Sequence, residues 1–132
     1  MKKINSNARY FETNEWALPT QDYFLIGITD FAQTVFGDIV FIDLPKIGQT
    51  FLQSATFAIT ESNKATNDIS LPLSGEIIAV NQALIENPIW LNEDPYGKGW
   101  LVKIKATKPV EWNALMTAEQ YGAFIGVFFN KT

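Results

Sequence analysis

The sequence predicts a mainly β protein with a few short helices and one C-terminal helix. Residues 23–28 and 38–44 are short runs of β-favouring apolar side chains, and Pro45 ends the second run. In residues 100–106, apolar side chains alternate with two lysines, which is the pattern of a strand with one buried and one exposed face. Helical patterns are confined to short stretches, so we expect strands to form most of the core.

Two further strands are expected on either side of a polar turn. In residues 56–60, Phe57 and Ile59 share one face and small side chains share the other, so we expect both to be buried. The small and polar residues 62–65 suit a tight turn, and a strand resumes near Ile69. The pattern therefore predicts a hairpin with Lys64 at its tip.

Two short helices are expected before the C-terminal one. Asp30 is a possible N-cap with Gln33 three residues on, and Gly37 is expected to end this helix. Residues 81–85 suit a single helical turn before a proline.

The length of 132 residues fits one domain, which we place at residues 1–132. Residues 1–8 are expected to be a loose N-terminal end. Thr117 and Gln120 form a capping box that opens a helix over about residues 117–129. The apolar stripe of this helix, expected to pack on the sheets, consists of Tyr121, Phe124, Ile125 and Phe128.

The missing residue types exclude several classes of chemistry. The chain has no cysteine and no histidine, which removes thiol nucleophiles, imidazole acid–base catalysis and zinc sites built from these residues. The net charge is −4 and the ten basic residues are spread thinly, so we expect no binding of nucleic acid. No apolar run could span a bilayer, and polar residues occupy the place of a signal peptide's apolar stretch. We therefore expect a cytoplasmic protein that is not bound to a membrane.

Lys64 has two interpretations on its position alone. A lysine in a turn is usually just surface charge. An amine held at the tip of a rigid hairpin is also a good acceptor for acylation, because several partner active sites can reach the same nitrogen. The spacing of the residues does not choose between these interpretations.

Seven short motifs, in order along the chain, carry a family resemblance. They are residues 27–30, 37–41, 44–45, 61–68, 73–76, 92–97 and 99–105. Together they resemble the glycine cleavage H-protein family of lipoyl carriers, and the resemblance covers about residues 9–122. It implies a barrel-sandwich hybrid, a fold of two antiparallel sheets packed face to face, and a carrier that is not an enzyme.

The resemblance implies that a lipoate ligase or an octanoyltransferase attaches lipoate to the ε-amine of Lys64 as an amide. The arm would accept an aminomethyl group from the decarboxylating glycine dehydrogenase and deliver it to the aminomethyltransferase. Dihydrolipoyl dehydrogenase would then reoxidise the dithiol. The cofactor would bring its own sulfur, which fits a chain without cysteine.

The resemblance also implies roles for five other residues. The attaching enzyme would recognise Glu61, three residues before the lysine, and Gly75, eleven after it. Thr13, Glu15 and Asp68 would form the cleft for the loaded arm, with Glu15 binding the protonated aminomethyl nitrogen. Without the resemblance, Gly75 is simply a turn glycine and Glu15 is one more exposed acid.

The chain departs from the family pattern at Asn14, where histidine is usual, and at Asn63, where valine is usual. The acceptor lysine is intact, but a lipoate relay to other dehydrogenases, a carrier in sulfur oxidation and an unmodified interaction domain remain alternatives. Biotin carriage is disfavoured, because biotin acceptors have methionine on both sides of the lysine and here Asn63 and Ala65 flank it. The absence of histidine and cysteine disfavours a stand-alone enzyme.

Overall fold

Nine strands and four α-helices make up the part of the chain that the structure describes. The computed structural model describes residues 4–129, and of residues 127–129 the backbone alone. The strands are β1 (Arg9–Tyr10), β2 (Glu15–Pro19), β3 (Phe24–Ile28), β4 (Ile39–Asp43), β5 (Thr50–Phe51), β6 (Thr56–Ser62), β7 (Thr66–Ser70), β8 (Gly75–Val80) and β9 (Val102–Ala106). The helices are α1 (Asp30–Phe36), α2 (Ala83–Glu86), α3 (Trp90–Glu93) and α4 (Ala118–Phe129), and Pro109–Ala114 form a 3-10 helix.

The strands form two antiparallel sheets. The larger has six strands in the order β1-β2-β3-β9-β8-β5, and the smaller has three in the order β4-β6-β7. Both sheets contribute to one apolar core, for example through Ile26 and Val102 of the larger sheet and Ile42 and Ile69 of the smaller. The predicted mainly β fold of two antiparallel sheets is confirmed.

Strand β9 has the alternation that the sequence predicts. Val102 and Ile104 are fully buried, whereas Lys105 is exposed. Lys103 is half-buried because its ammonium lies over the rings of Tyr23 and Trp100, at 4.9 and 5.3 Å from the ring centres.

A β-bulge in β6 changes which side chains face the core. The register between β6 and β7 shifts between Thr56 and Ala58, and an inserted residue reverses the faces of the residues that follow. Phe57 and Ala58 are therefore both buried, and Thr60 is buried after them. The expectation that Ile59 is buried together with Phe57 is wrong, because Ile59 is only half-buried.

Helix α1 begins one residue earlier than the capping pattern suggested. Thr29, and not Asp30, is the N-cap, and its hydroxyl accepts a hydrogen bond of 3.1 Å from the Ala32 N–H. Asp30 instead accepts a hydrogen bond of 2.9 Å from the side chain of Gln33. Gly37 ends the helix with a φ of 79°, as expected.

The C-terminal helix begins with the predicted capping box. The Thr117 N–H donates to the Gln120 side chain at 2.9 Å, and the Gln120 N–H donates to the Thr117 hydroxyl at 3.2 Å. Tyr121 and Ile125 of the predicted stripe are buried. The side chain of Phe128 lies outside the described residues.

A second apolar cluster joins α4 to strands β1 and β2. Trp16 is fully buried in it, and its indole N–H donates to the Ile28 carbonyl at 2.8 Å. A Cβ on Gly27 would lie 2.5 Å from the indole, so the neighbouring strand needs glycine there. The rings of Tyr10 and Tyr121 stack with their centres 4.4 Å apart. Helix α4 therefore packs against β1 and β2, the strands on either side of the turn at residues 11–14.

Residues 4–8, which we expected to be loose, are held against the domain. The Tyr10 hydroxyl donates to the Asn5 carbonyl at 2.6 Å and accepts from the Asn5 N–H at 2.7 Å. Ala8 is buried. Residues 1–3 lie outside the described part of the chain. Across residues 4–129, no helix has the length and apolar character needed to cross a membrane.

The bulge allows a test of the core with a matched pair of variants. Ile104→Ala should lower the free energy of unfolding by about 2–5 kcal/mol, because truncating a fully buried side chain leaves a cavity. Ile59→Ala makes the same chemical change at a half-buried position and should lower it clearly less. Urea unfolding of both variants and the parent chain measures the difference. Equal losses would contradict the shifted register of β6.

Candidate functional site

Strands β6 and β7 form a hairpin with Lys64 at its tip, as the turn pattern predicted. Glu61 pairs with Thr66 in the last rung of the ladder. Beyond this rung, the Ser62 N–H donates to the Ala65 carbonyl at 2.9 Å and closes the turn. The backbone that carries Lys64 is therefore hydrogen-bonded up to the turn itself.

The side chain of Lys64 is exposed. Among the described residues, no group forms a hydrogen bond or an ion pair with its amine. Glu61 is also exposed, on the strand that leads to the turn. An enzyme that modifies the amine can therefore reach both side chains without opening the fold.

Glu15 lies in the interior, although its sequence context suggested an exposed acid. Its side chain is only 2% exposed, and it belongs to the same face of β2 as the core residue Ala17. Its carboxylate accepts hydrogen bonds from the Thr13 hydroxyl and, at 3.0 Å, from the Ser70 N–H. Ser70 is the last residue of β7. The carboxylate therefore contacts the second strand of the lysine hairpin, and the interpretation of Glu15 as a surface acid is wrong.

Burial determines the electrostatics of this carboxylate. Desolvation raises the pKa of Glu15 from 4.5 to about 7, and the hydrogen bonds from Thr13 and Ser70 oppose this effect only in part. A cation that approached the carboxylate would favour its ionised form and lower the pKa again. Glu15 is therefore a group whose charge responds to what binds beside it.

The turn that holds Thr13 and Glu15 has a defined geometry. The Asn14 N–H donates to the Phe11 carbonyl and the Phe11 N–H donates to the Glu15 carbonyl, both at 2.9 Å. Asn14 itself has a φ of 77°. This is the left-handed region, which asparagine tolerates better than most residues, and it is typical of a three-residue hairpin loop.

The other predicted site residues lie apart from this contact. Asp68 is exposed on β7 and pairs with Ile59 across the hairpin. Within the described residues, no hydrogen bond joins Asp68 to Glu15 or to Thr13. The structure thus brings together Thr13 and Glu15 of the predicted cleft. It places Asp68 on β7, two residues before Ser70.

Gly75 is a buried strand residue and not a turn glycine. It begins β8 in the six-stranded sheet, whereas the lysine hairpin belongs to the three-stranded one. A Cβ at this position would lie 2.8 Å from the Lys105 carbonyl oxygen and 3.0 Å from the Ile104 side chain. Close packing against β9 therefore explains the glycine by itself.

Two contributors to the site could not be identified from the sequence. Ser70 contributes its backbone N–H, which every residue except proline has, so its side chain gives no signal. Tyr121 was expected only to pack in the core, yet its hydroxyl donates to the Asn14 side chain at 2.9 Å. The departure from the family pattern at Asn14 was the signal in the sequence that could have pointed to this contact.

Two antiparallel sheets thus hold a hairpin with one exposed lysine at its tip. The chain matches the family model of the glycine cleavage H-protein over residues 8–127. It therefore belongs to this family, whose members are lipoyl carriers and not enzymes.

Relatives across bacteria agree with this assignment. The chain is 43% identical over 122 residues to the glycine cleavage system H protein of Halothermothrix orenii, covering 92% of this chain and 95% of the relative. It is 47% identical over 119 residues to that of Methylocella silvestris, covering 90% and 95%. The crystal structure of a glycine cleavage system H protein from Mycobacterium marinum superposes with a TM-score of 0.85 at 32% identity, covering 93% of this chain and 99% of that one.

The raised pKa of Glu15 predicts a pH dependence of stability. Between about pH 4.5 and 7 the folded state binds more protons than the unfolded state, so the free energy of unfolding falls as the pH rises. The full effect is about 3 kcal/mol. Glu15→Gln keeps an acceptor for the Ser70 N–H and removes the titration. It should therefore match the parent chain near pH 5 and be the more stable of the two near pH 8.

Urea unfolding at both pH values measures this difference. Glu12→Gln is the matched control, because it removes an exposed acid from the same turn. A Glu15→Gln variant that follows the parent chain at both pH values would show that Glu15 has an ordinary pKa.

Proposed function

We propose that this chain carries a lipoyl group on Lys64 and shuttles the aminomethyl group of glycine within a glycine cleavage system. The observation that carries the proposal is the position of Lys64 on a hydrogen-bonded hairpin tip of a family member, where its amine is exposed and has no partner among the described residues. Acylation needs an accessible amine in a fixed place, and this chain offers one there.

Family membership supports partners within a glycine cleavage system. The arm on Lys64 would be loaded by the decarboxylating glycine dehydrogenase, unloaded by the aminomethyltransferase and reoxidised by dihydrolipoyl dehydrogenase. A lipoate ligase or an octanoyltransferase would attach it. These enzymes must reach one nitrogen in turn, and a turn of four residues beyond the last ladder pair, with Lys64 exposed in it, allows this.

Recognition by the attaching enzyme rests on Glu61 and Gly75 in this proposal. Glu61 is suited to direct contact because it is exposed and three residues from the lysine. Gly75 is buried in the other sheet, so it contributes by allowing β8 to pack closely on β9 and not through a contact of its own. Its substitution would disturb the fold and cannot test recognition.

The lipoyl group, when attached, supplies a dithiol whose sulfur holds the aminomethyl carbon. The chain's own contribution is the Glu15 carboxylate, which can accept a charge-assisted hydrogen bond from the protonated amine. Along β7, Ser70, beside Glu15, lies four residue steps from Thr66, beside the turn, which is about 13 Å at the usual rise of a strand. An extended lysine side chain with an eight-carbon acyl chain has a comparable length.

Access to the carboxylate is through Thr13. This residue is exposed and its hydroxyl donates to Glu15, so the carboxylate lies one side chain below the surface. A docked ammonium would share or replace that hydrogen bond and would keep Glu15 ionised at neutral pH. Asp68, exposed on the neighbouring strand, adds a second negative charge along the same path.

Lys64→Arg should abolish lipoylation and leave the thermal unfolding temperature nearly unchanged. Arginine keeps the positive charge but has no amine that a lipoate ligase can acylate, and the exposed tip makes few packing contacts. Intact-protein mass spectrometry after incubation with lipoate ligase measures the modification. Lys46→Arg, at another exposed lysine in a loop, is the control and should be modified normally. Lipoyl mass on the Lys64→Arg protein would place the attachment elsewhere.

The same mass-spectrometric assay tests whether the lipoate ligase recognises Glu61. Glu61→Ala should slow modification of Lys64 without changing stability, because the side chain is exposed. Glu76→Ala removes an exposed strand acid from the other sheet and should have no effect on the rate. Equal rates for both variants would remove Glu61 from recognition.

Glu15→Gln should shorten the lifetime of the aminomethyl-loaded protein severalfold or more. It replaces the ionised partner of the ammonium by a neutral amide, and a hydrogen bond to a charged group contributes about 1.5–3 kcal/mol. Decay of the loaded protein, followed by mass spectrometry near pH 8, measures the lifetime, with Glu12→Gln as the control. Lipoylation itself should be unchanged. Identical decay in both variants would leave Glu15 with a structural role alone.

A further inference from the structure

Three polar residues from three separate elements form a closed ring beside Glu15. The Tyr121 hydroxyl, on α4, lies 2.9 Å from the Asn14 Oδ1 and 2.8 Å from the Thr29 hydroxyl. The backbone of Thr29 closes the ring, because its N–H donates to the Asn14 carbonyl at 3.0 Å. Asn14 is therefore held by both its side chain and its backbone.

The direction of each hydrogen bond in the ring is fixed. The Asn14 Oδ1 can only accept, so Tyr121 donates its proton to it. The Thr29 hydroxyl must then donate to the Tyr121 oxygen, while it accepts from the Ala32 N–H at the start of α1. Burial raises the pKa of Tyr121 well above its usual value, so its hydroxyl stays protonated and remains a donor at neutral pH.

We infer that Tyr121 is a positioning residue for Glu15, because its hydroxyl fixes the side chain of Asn14 and thereby the left-handed turn that aims the Glu15 carboxylate at the hairpin strand. This inference deepens the proposed function and rests on it for the role of Glu15 in holding the loaded arm. It gives the C-terminal helix a part in the site that its sequence pattern did not indicate.

The geometry explains why a hydroxyl on α4 can act on a carboxylate on β2. Asn14 is the residue before Glu15, and its φ of 77° sets the direction in which β2 begins. A non-glycine residue is held in this region by its surroundings, and here these are the hydroxyl of Tyr121, the N–H of Thr29 and the carbonyl of Phe11. Without the hydroxyl, the turn can relax and water can reach the carboxylate.

The test is the pKa of Glu15 in Tyr121→Phe, measured by NMR of the carboxyl carbon in the unlipoylated protein. The groups that face Glu15 are Thr13, the Ser70 N–H and Tyr121, and Asp30 and Tyr96 lie near Tyr121. Phenylalanine keeps the ring that stacks on Tyr10 and removes the hydroxyl alone. We expect the pKa to fall from about 7 toward the ordinary value of 4.5 as water enters. An unchanged or higher pKa would overturn the inference.

Tyr10→Phe is the matched control. It deletes a buried hydroxyl from the other ring of the same stacked pair, but that hydroxyl bonds to Asn5 and to the Tyr96 side chain and not to Asn14. A general loosening of the aromatic cluster would move the pKa of Glu15 in both variants. The inference requires that Tyr121→Phe moves it and Tyr10→Phe does not, and equal shifts would overturn it.

A double variant tests whether Tyr121 acts through Asn14. Asn14→Gly removes the side chain and tolerates the left-handed φ. If the hydroxyl acts through the amide, then Tyr121→Phe should cause no further change in the pKa of Glu15 in the Asn14→Gly background. Additive shifts would show that Tyr121 reaches Glu15 by another route and would overturn the inference.

The lifetime of the aminomethyl-loaded protein completes the test. We expect Tyr121→Phe to shorten it severalfold, with an unchanged rate of lipoylation, and Tyr10→Phe to leave it unchanged. The pKa measurements do not involve the arm. The positioning of Glu15 by Tyr121 and the role of Glu15 in holding the arm can therefore be contradicted separately. A shifted pKa with an unchanged lifetime would contradict the role of Glu15 in holding the arm, whereas an unchanged pKa contradicts the positioning by Tyr121.

Discussion

The hydrogen bond from the Ser70 N–H to the buried carboxylate of Glu15 joins the two sheets at the proposed site for the loaded arm. The sheets also meet through apolar side chains such as Ile26 and Ile69, and apolar contact has little directional preference. A hydrogen bond in a low-dielectric interior is strong and directional. It therefore fixes the end of β7 relative to the turn between β1 and β2.

Among the described residues, no cation lies beside the buried carboxylate, and this arrangement supports the proposed role of Glu15 as a binding group. Its hydrogen bonds come from the neutral Thr13 hydroxyl and a backbone N–H, and the causes of its raised pKa include no positive side chain. A lysine or arginine partner would offset the desolvation of Glu15. It would also occupy the acceptor that an ammonium needs. In the proposed function, the expected loss of stability at neutral pH is the consequence of keeping this acceptor available for a bound cation.

The sequence predicted the parts of the molecule that depend on periodicity and local capping. It did not predict the features that depend on one inserted residue or on one backbone group. The alternation around Val102 and Ile104 identified β9 because one face of it packs on the core. The bulge in β6 has no comparable signature, so Ile59 was assigned to the wrong face. The depth of Glu15 could not be predicted either, because the group that contacts it from β7 is a backbone N–H. Side-chain patterns carry no information about which N–H groups meet a distant carboxylate.

The departure from the family pattern at Asn14 becomes intelligible once the C-terminal helix is considered with the first turn. An asparagine satisfies two demands at this position, since it tolerates a φ of 77° and offers a carbonyl oxygen to the Tyr121 hydroxyl. Tyr121 is buried and stacked, so its hydroxyl arrives in a fixed place. In the proposed function, the exposed lysine tip and the hydrogen-bonded ring around Asn14 therefore have separate roles. The tip would remain accessible to partner enzymes, while the helix and the turn would hold the carboxylate at which the arm rests.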